Sequence, residues 1–464
     1  MKLSRIGSLL LAMLMLATLF AAVSCAGTGD NESFDMDFDS SESYQIDFGG
    51  RTFLAGLRSM DVVDVVIPIE ENISVSADAT RKHIAKVEQA LNCKLEQKVW
   101  AGASMVLAQY ASGGAECDYY FLASFDEYSM YKSGLIWNLG EISAIDLTDE
   151  NKWGTQAILN PLSFKNDIFG VYPYAWSTGL SGAEGAMICN DNLIASFSQT
   201  HPRELYENGQ WTFDTFLDYL PKVADITGDN PIYGITIYPG QLCQLYIDAL
   251  FANGGEFIKN VNGTYTWGLE DPNATAAFEW AKQVWDTGLC RLESGREAEL
   301  FSSNQATFWL GGSWVAIDTR EGYPLTSLEK FSWVQFPFGP SGIYGESISA
   351  FNFANMGIAI SSDRDGEEVG TFIDMLYSER EDLSLADNMS LTARQFFFTE
   401  DDYQTALALT KQMADTHLYT ELGSVRDTIL NSINSYVQGS KSLTESIAAI
   451  KDKVLDAIDT ELNS

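Results

Sequence analysis

The sequence predicts an α/β protein built on open, doubly wound sheets, and three observations predict it. VVDVVIPI at 62–69 is a continuous β-branched run of the kind that fills a strand buried on both faces of a parallel sheet. A helical pattern follows it, with Ile84, Val87 and Leu91 on one face of 76–91, and KLEQKVW at 94–100 reads as the next strand. This β-α-β alternation continues down the chain. Finally, 464 residues exceed one small core and suit two lobes, or two domains with a tail.

MVLAQYASG gives a short helix ending at Gly113, and DYYFLA (118–123) a third strand. DIFGVYPYAW (167–176) reads as a strand leading into new territory, and GAMICNDNLIASF (185–197) as a strand running into a helix. In WTFDTFLDYLPKVADI, Thr212 is placed to cap a helix whose buried face holds Phe213, Phe216, Leu217 and Leu220. IYGITIY is a strand, GQLCQLYIDALFANGG a helix stopped by Gly254 and Gly255, and DPNATAAFEWAKQVWDTG another helix. ATFWLGG is a strand, with Trp309 inside it as core. Near the end, Ser442 and Glu445 form a capping box ahead of a face of Ile447, Ile450, Val454, Ile458 and Leu462. No repeat with a period of 20–50 residues is visible.

The first residues describe an address. MKLSR is basic, an apolar run follows, and AVSC leads to Cys25, the layout of a secretory signal. AVSC resembles the bacterial lipoprotein box, in which the cysteine carries a diacylglycerol and becomes the mature N-terminus. The alternative is an uncleaved anchor helix. After Cys25, seven acids precede the first base, Arg51, so this stretch reads as a self-repelling tether. Asp35, Asp37 and Asp39 have calcium-loop spacing, but Ser40 and Ile46 stand where the loop needs Gly and Glu. The formal charge of −36 repels phosphate backbones, which argues against nucleic acid as a partner.

Motifs for catalysis are lacking. His83, His201 and His417 stand far apart, GGSWV is not a nucleophile elbow, and no phosphate-binding glycine pattern occurs. No cofactor and no metal site is expected. The cysteines beyond Cys25 are Cys93, Cys117, Cys189, Cys243 and Cys290; their spacing is neither a disulfide framework nor a zinc pattern, and they read mostly as small buried hydrophobes. Paired carboxylates among 64 acids leave glycoside hydrolysis open. Aromatic residues are abundant, with 11 Trp, 20 Tyr and 26 Phe, and an aromatic face can stack on the C–H face of a sugar ring.

Several segments, in order, resemble the extracellular solute-binding proteins of family 1, related to maltose-binding protein. They are DYYFLASFDEYSMYKSGLIWNL, DIFGVYPYAW with MICNDNLI, WTFDTFLDYL, YIDALFANGGEFI, ELFSSNQATFWLGGSWVAI and SLTESIAAIKDKVLDAI. The similarity covers nearly all the chain from about Val62. It departs from the pattern at Cys189, where the family usually has Tyr, and at Asn304, where it has Gly or Lys. The resemblance implies a two-lobed periplasmic-binding-protein-like fold (type II), each lobe an open sheet flanked by helices and joined by hinge strands. The expected division is 1–24 signal peptide, 25–50 lipid-anchored tether, 51–170 first part of lobe 1, 171–328 first part of lobe 2, 329–378 return to lobe 1, and 379–464 the C-terminal helices of lobe 2.

It further implies that Trp314, after the glycines, stacks on sugar at the cleft wall. Segment matching adds Glu70, Glu71, Ser124, Phe125 and Asp126 on one lobe, Tyr174 and Trp176 near the hinge, and Gln241 and Gln244 on the other lobe, with Arg394 able to reach a hydroxyl or carboxylate. The implied function is that of an extracytoplasmic substrate-binding lipoprotein, held at the cell membrane through Cys25. It would capture a carbohydrate, an oligosaccharide, and hand it to ABC transporter permease subunits. The alternatives are a secreted glycoside hydrolase or other carbohydrate-active enzyme, and a sensory protein presenting its ligand to a signalling receptor.

Overall fold

The computed structural model describes residues 46–57, 75–99, 103–177, 186–237, 242–292, 296–312, 314–317, 321–346, 356–410, 417–418 and 420–464. The signal, Cys25, the tether, the run at 62–69, Glu70, Glu71 and Gln241 lie outside these residues. Two sheets carry the unit Asp47–Ser464. Their strands are β1 (Arg51–Leu57), β2 (Cys93–Val99), β3 (Tyr119–Ala123), β4 (Ala186–Cys189), β5 (Tyr233–Ile237), β6 (Cys290–Leu292), β7 (Ala306–Gly311), β8 (Ser332–Val334) and β9 (Met356–Ile360). The longer helices are α1 (Val75–Leu91), α2 (Ala103–Ser112), α3 (Ser124–Lys132), α4 (Leu242–Ala252), α5 (Pro272–Asp286), α6 (Gly366–Leu376), α7 (Leu385–Phe396), α8 (Glu400–Thr410), α9 (Gly423–Val437) and α10 (Leu443–Ala457).

The first sheet has the order β9-β3-β1-β2, with β1, β2 and β3 parallel and β9 antiparallel at one edge. The second has the order β6-β5-β7-β4-β8, in which β6, β5 and β7 are parallel and β4 and β8 alternate in direction. Both sheets are open, and α/β alternation builds them as expected. The first described strand is RTFLAGL at 51–57, which the sequence marks only as the start of the folded part. Its buried positions include Ala55 and Gly56, residues of low strand propensity, so the usual signal is faint. Gly56 is needed there: a Cβ would lie 2.5 Å from the Tyr120 ring on β3.

DIFGVYPYAW is not one strand. Asp167–Ile168 pairs briefly with Ser163–Phe164, Val171 bridges Ile358 of β9, and Tyr174–Trp176 forms a 3-10 turn. Gly170 and Pro173 interrupt any longer ladder. The return to the first sheet also falls later than 329, because β8 still pairs with β4, Ser332 opposite Cys189. An edge strand is added to the second sheet before the chain crosses back.

The second sheet is buried on both faces. Phe308 and Leu310 of β7 join Trp211, Phe216 and Trp280 in one core, while Trp309 joins Ile188, Phe301 and Trp333 on the other side. Trp309 is therefore core, as expected. Phe213 stacks on Trp280 of α5 with ring centres 4.1 Å apart, and the Trp280 indole N–H donates to the Phe213 carbonyl at 3.0 Å. On the opposite face α8 is tied down by Asp402, almost fully buried, which accepts from the Trp333 N–H at 3.0 Å and pairs with Arg203. On the first sheet, Phe372 of α6 stacks on Phe53 with ring centres 4.1 Å apart.

Thr212 caps its helix through its hydroxyl, which accepts from the Thr215 N–H at 3.2 Å. Ahead of α10 the capping box is complete: Ser442 Oγ accepts from Glu445 N–H at 3.2 Å, and the Glu445 carboxylate accepts from Ser442 N–H at 2.9 Å. The helix face behind it, Ile447, Ile450, Val454, Ile458 and Leu462, is buried in the second-sheet core. Ser442→Ala is expected to lower unfolding free energy by about 1 kcal/mol, and Ser442→Asp to retain most of it. Urea titration of the three proteins checks this, and equal midpoints for Ser and Ala would reject the cap as a stabilising contact.

Candidate ligand-binding site

In the first sheet the carboxyl ends of β1 and β2 meet, with Leu57 opposite Val99, and β3 runs in the same direction. Ser124 leaves the end of β3 directly into α3, so Ser124, Phe125 and Asp126 form the first turn of that helix. Ser124 is buried, whereas Phe125 and Asp126 are half-buried. Asp126 and Glu127 place acidic groups at a helix N-terminus, where the peptide dipoles favour them.

Glu127 was not among the expected residues, and it is fully buried. Its carboxyl group occupies space left by two glycines: a Cβ on Gly170 would stand 2.5 Å from Oε2, and one on Gly357 2.8 Å from it. Neither oxygen has a hydrogen-bond partner of good geometry. Burial pushes this carboxyl well above the usual range; the nearby Leu122 backbone amide opposes the shift, and the charge of Asp126 adds to it. The acid sits beside the place where Val171 bridges Ile358, since Gly170 and Gly357 are the neighbours of those two residues. Nothing in its spacing sets it apart from the other acids in the sequence.

In the second sheet Leu310 lies opposite Ile237, so β5 and β7 deliver their carboxyl ends to the same edge. From that edge the chain proceeds toward α4, which carries Gln244, and to the short helix Trp314–Ile317 that Trp314 opens. Gln244 is 2% exposed, and its Nε2 has no hydrogen-bond partner among the described residues. Asp248, one turn further along α4, is buried as well.

Tyr174 and Trp176 share one turn but differ in surroundings. Tyr174 keeps part of its ring at the surface, and partial burial raises its phenol pKa. Trp176 is 2% exposed, donates its indole N–H to the Ser378 carbonyl at 2.8 Å, and packs on Tyr377 with ring centres 4.8 Å apart. The Arg380 guanidinium lies 5.7 Å from its ring centre. As placed, Trp176 holds the crossing segment to the chain after α6 and presents no open face for stacking. Arg394 is exposed near the end of α7. A surface hollow of about 240 Å³ is lined by Gln199, Thr200, Thr215, Asp218 and Lys222 among others and contains none of the expected residues.

None of the five cysteines from Cys93 onward is in a disulfide, and four of them are buried. Cys189, Asp191 and His201, which the sequence reading did not connect, are brought into one cluster. The signal available in the sequence was the cysteine standing where the resembling family has Tyr.

No family model matches the chain, and no curated protein matches it in sequence. Solved structures do match in fold. A cyclo/maltodextrin-binding protein complexed with maltotetraose is 14% identical, covers 87% of this chain and 97% of its own, and superposes with a TM-score of 0.62. The galacto-N-biose/lacto-N-biose I-binding protein of the ABC transporter from Bifidobacterium longum, in complex with lacto-N-biose, is 12% identical over 89% of this chain and 98% of its own, with a TM-score of 0.61. UgpB from Mycobacterium tuberculosis, in complex with glycerophosphocholine, is 13% identical over 89% and 99%, with a TM-score of 0.61. The chain thus has the two-lobed fold of the periplasmic binding proteins.

The interior acid gives a pH prediction. A carboxyl whose folded pKa is raised contributes its full stability below the unfolded pKa of about 4.3 and loses it as pH rises toward the folded value. Glu127→Gln keeps the shape without the charge. Its stability relative to the parent is expected to grow between pH 4.5 and pH 8, read from urea midpoints at both pH values. A parallel pH dependence of the two proteins would mean that Glu127 is ionised in the fold.

Proposed function

We propose that this chain is the extracytoplasmic substrate-binding lipoprotein of an ABC importer, capturing an oligosaccharide in a cleft between two lobes. The observation that carries the reading is the fold match, in which oligosaccharide-binding proteins superpose over nearly their whole length on most of this chain. The position of the expected residues supports it. Ser124, Phe125 and Asp126 leave the carboxyl edge of one sheet, and Trp314 and the helix of Gln244 leave that of the other. In open α/β sheets this edge is where ligands bind. A buried amide N–H without a partner is costly, and a ligand hydroxyl would satisfy Gln244.

In this reading Trp314 supplies the stacking face, Tyr174 borders the cleft from the crossing segment, and Glu70, Glu71, Gln241 and Arg394 contribute polar contacts. Trp176 supports the segment rather than the ligand. Lobe 1 comprises 51–170 with the return through β9 and α6, and lobe 2 comprises 171 through β8 with the C-terminal helices. The closed form is favoured only as far as ligand contacts both lobes, and the permease recognises that form. Cys25 carries the lipid; two acyl chains suffice for stable anchoring. No helix among the described residues is long and apolar enough to cross a membrane. The protein binds and releases its guest unchanged and is not an enzyme.

Calorimetry with a panel of mono- and oligosaccharides tests this, with maltotetraose, lacto-N-biose and glycerophosphocholine included. Stoichiometric binding with the sugar recovered intact is expected. Release of a shortened product would replace the receptor with a hydrolase, and binding of glycerophosphocholine alone would replace the carbohydrate. Trp314→Ala is expected to weaken sugar binding by roughly 1.5–3 kcal/mol, the scale of one buried aromatic contact. Unchanged affinity in a folded variant would reject Trp314 as the stacking face.

A further inference from the structure

Away from the proposed cleft, three metal-ligating side chains converge at the far end of β4. The carboxyl end of β7, near Trp314, faces the start of β4, Gly311 opposite Ala186, so Cys189 stands at the other end of the strand. Cys189 Sγ lies 3.4 Å from His201 Nε2 and 3.7 Å from Asp191 Oδ1, and those two atoms are 3.3 Å apart. We propose that Cys189, Asp191 and His201 form a zinc-binding site.

The distances are those of three corners of a tetrahedron. With zinc–ligand bonds of about 2.3 Å to sulfur, about 2.05 Å to nitrogen and about 2.1 Å to oxygen, tetrahedral geometry separates S from N or O by about 3.6 Å and N from O by about 3.4 Å. Each observed edge agrees within about 0.2 Å. The donor set of one thiolate, one imidazole and one carboxylate suits zinc rather than calcium or magnesium, which take oxygen shells. Its two negative charges neutralise a divalent ion, and water completes the fourth position. A route inward exists, since the His201 side chain is 28% exposed.

The surroundings orient the carboxylate. Asp191 Oδ2 accepts from Ser332 Oγ at 3.0 Å and faces Lys330 Nζ at 3.2 Å, which leaves Oδ1 directed at the triangle. The cation nearest on the other side, Arg203, is paired with Asp402. One contact opposes ligation: His201 Nδ1 accepts from the Arg203 N–H at 3.2 Å, capping the short helix Pro202–Glu207. Binding metal at Nε2 moves the ring proton to Nδ1 and gives up this one long bond in exchange for three coordinate bonds. The ion would clasp β4 and β8 to the segment before Pro202.

The test is Co(II) added to the mature chain after chelator treatment. Tetrahedral Co(II) bound to thiolate shows a near-ultraviolet charge-transfer band with intense visible bands. Stoichiometric appearance of both is expected, with displacement by Zn(II) and an increase in melting temperature on adding Zn(II). Cys189→Ser is expected to lose the charge-transfer band. His201→Asn removes the imidazole but retains an N-cap residue, and is expected to lose the Zn(II)-dependent increase while remaining folded. A wild-type protein without the band, a band that persists in Cys189→Ser, or an equal thermal shift in His201→Asn would overturn the site and leave a hydrogen-bonded cluster. The sugar panel plays no part in this outcome, so the two proposals fail separately.

Discussion

The antiparallel pairing of β9 with β3, from Met356 opposite Ala123 to Ile360 opposite Tyr119, obliges the chain to return to the first sheet after building the second. Strands separated by more than 230 residues thereby become neighbours. The segment leaving the first sheet is pinned to this returning strand at Val171 and Ile358. Outgoing and incoming chain consequently meet at one place. Small residues are required there, and Gly170 and Gly357 both face the Glu127 carboxyl. A side chain on either would drive the acid out of its space and separate the two connections.

The aromatic content that first suggested a stacking ligand is largely structural. Trp153, Trp211, Trp309 and Trp333 are each at most 1% exposed, and the second sheet uses large rings on both faces. Such cores resist deformation because interlocked rings have few alternative packings. The second sheet is thereby held stiff from both sides. Composition alone could not separate these roles, since a ring in a core and a ring at a ligand count equally.

The sequence was most legible where local chemistry decides the outcome. Thr212 and the Ser442–Glu445 pair announce helix starts through hydrogen bonds within one turn, and the continuous apolar run of β7 announces a strand buried on both sides. Asn304, standing where the resembling family has Gly or Lys, adopts φ +59°, a left-handed turn that Asn tolerates better than most residues. Legibility failed where distant segments set the rule. The Ala–Gly pair of β1 makes sense only beside the Tyr120 ring, and Gly170 with Pro173 breaks a segment whose apolar content suggested a strand. Glu127 was hidden for the same reason, its surroundings being brought by folding rather than by spacing, whereas Cys189, Asp191 and His201 lie in one stretch whose spacing matches no familiar metal pattern. Among the expected site residues, Trp176 stands in the crossing segment and is fully used in holding it.

None of the five cysteines from Cys93 onward is in a disulfide, so none of the described elements is stapled by a sulfur–sulfur bond. Among the described residues, packing, hydrogen bonds and ion pairs such as Arg203–Asp402 hold the elements, and no disulfide has to form for them to do so. A chain of this kind can regain its shape from an unfolded state without an oxidant or an isomerase to sort its cysteines.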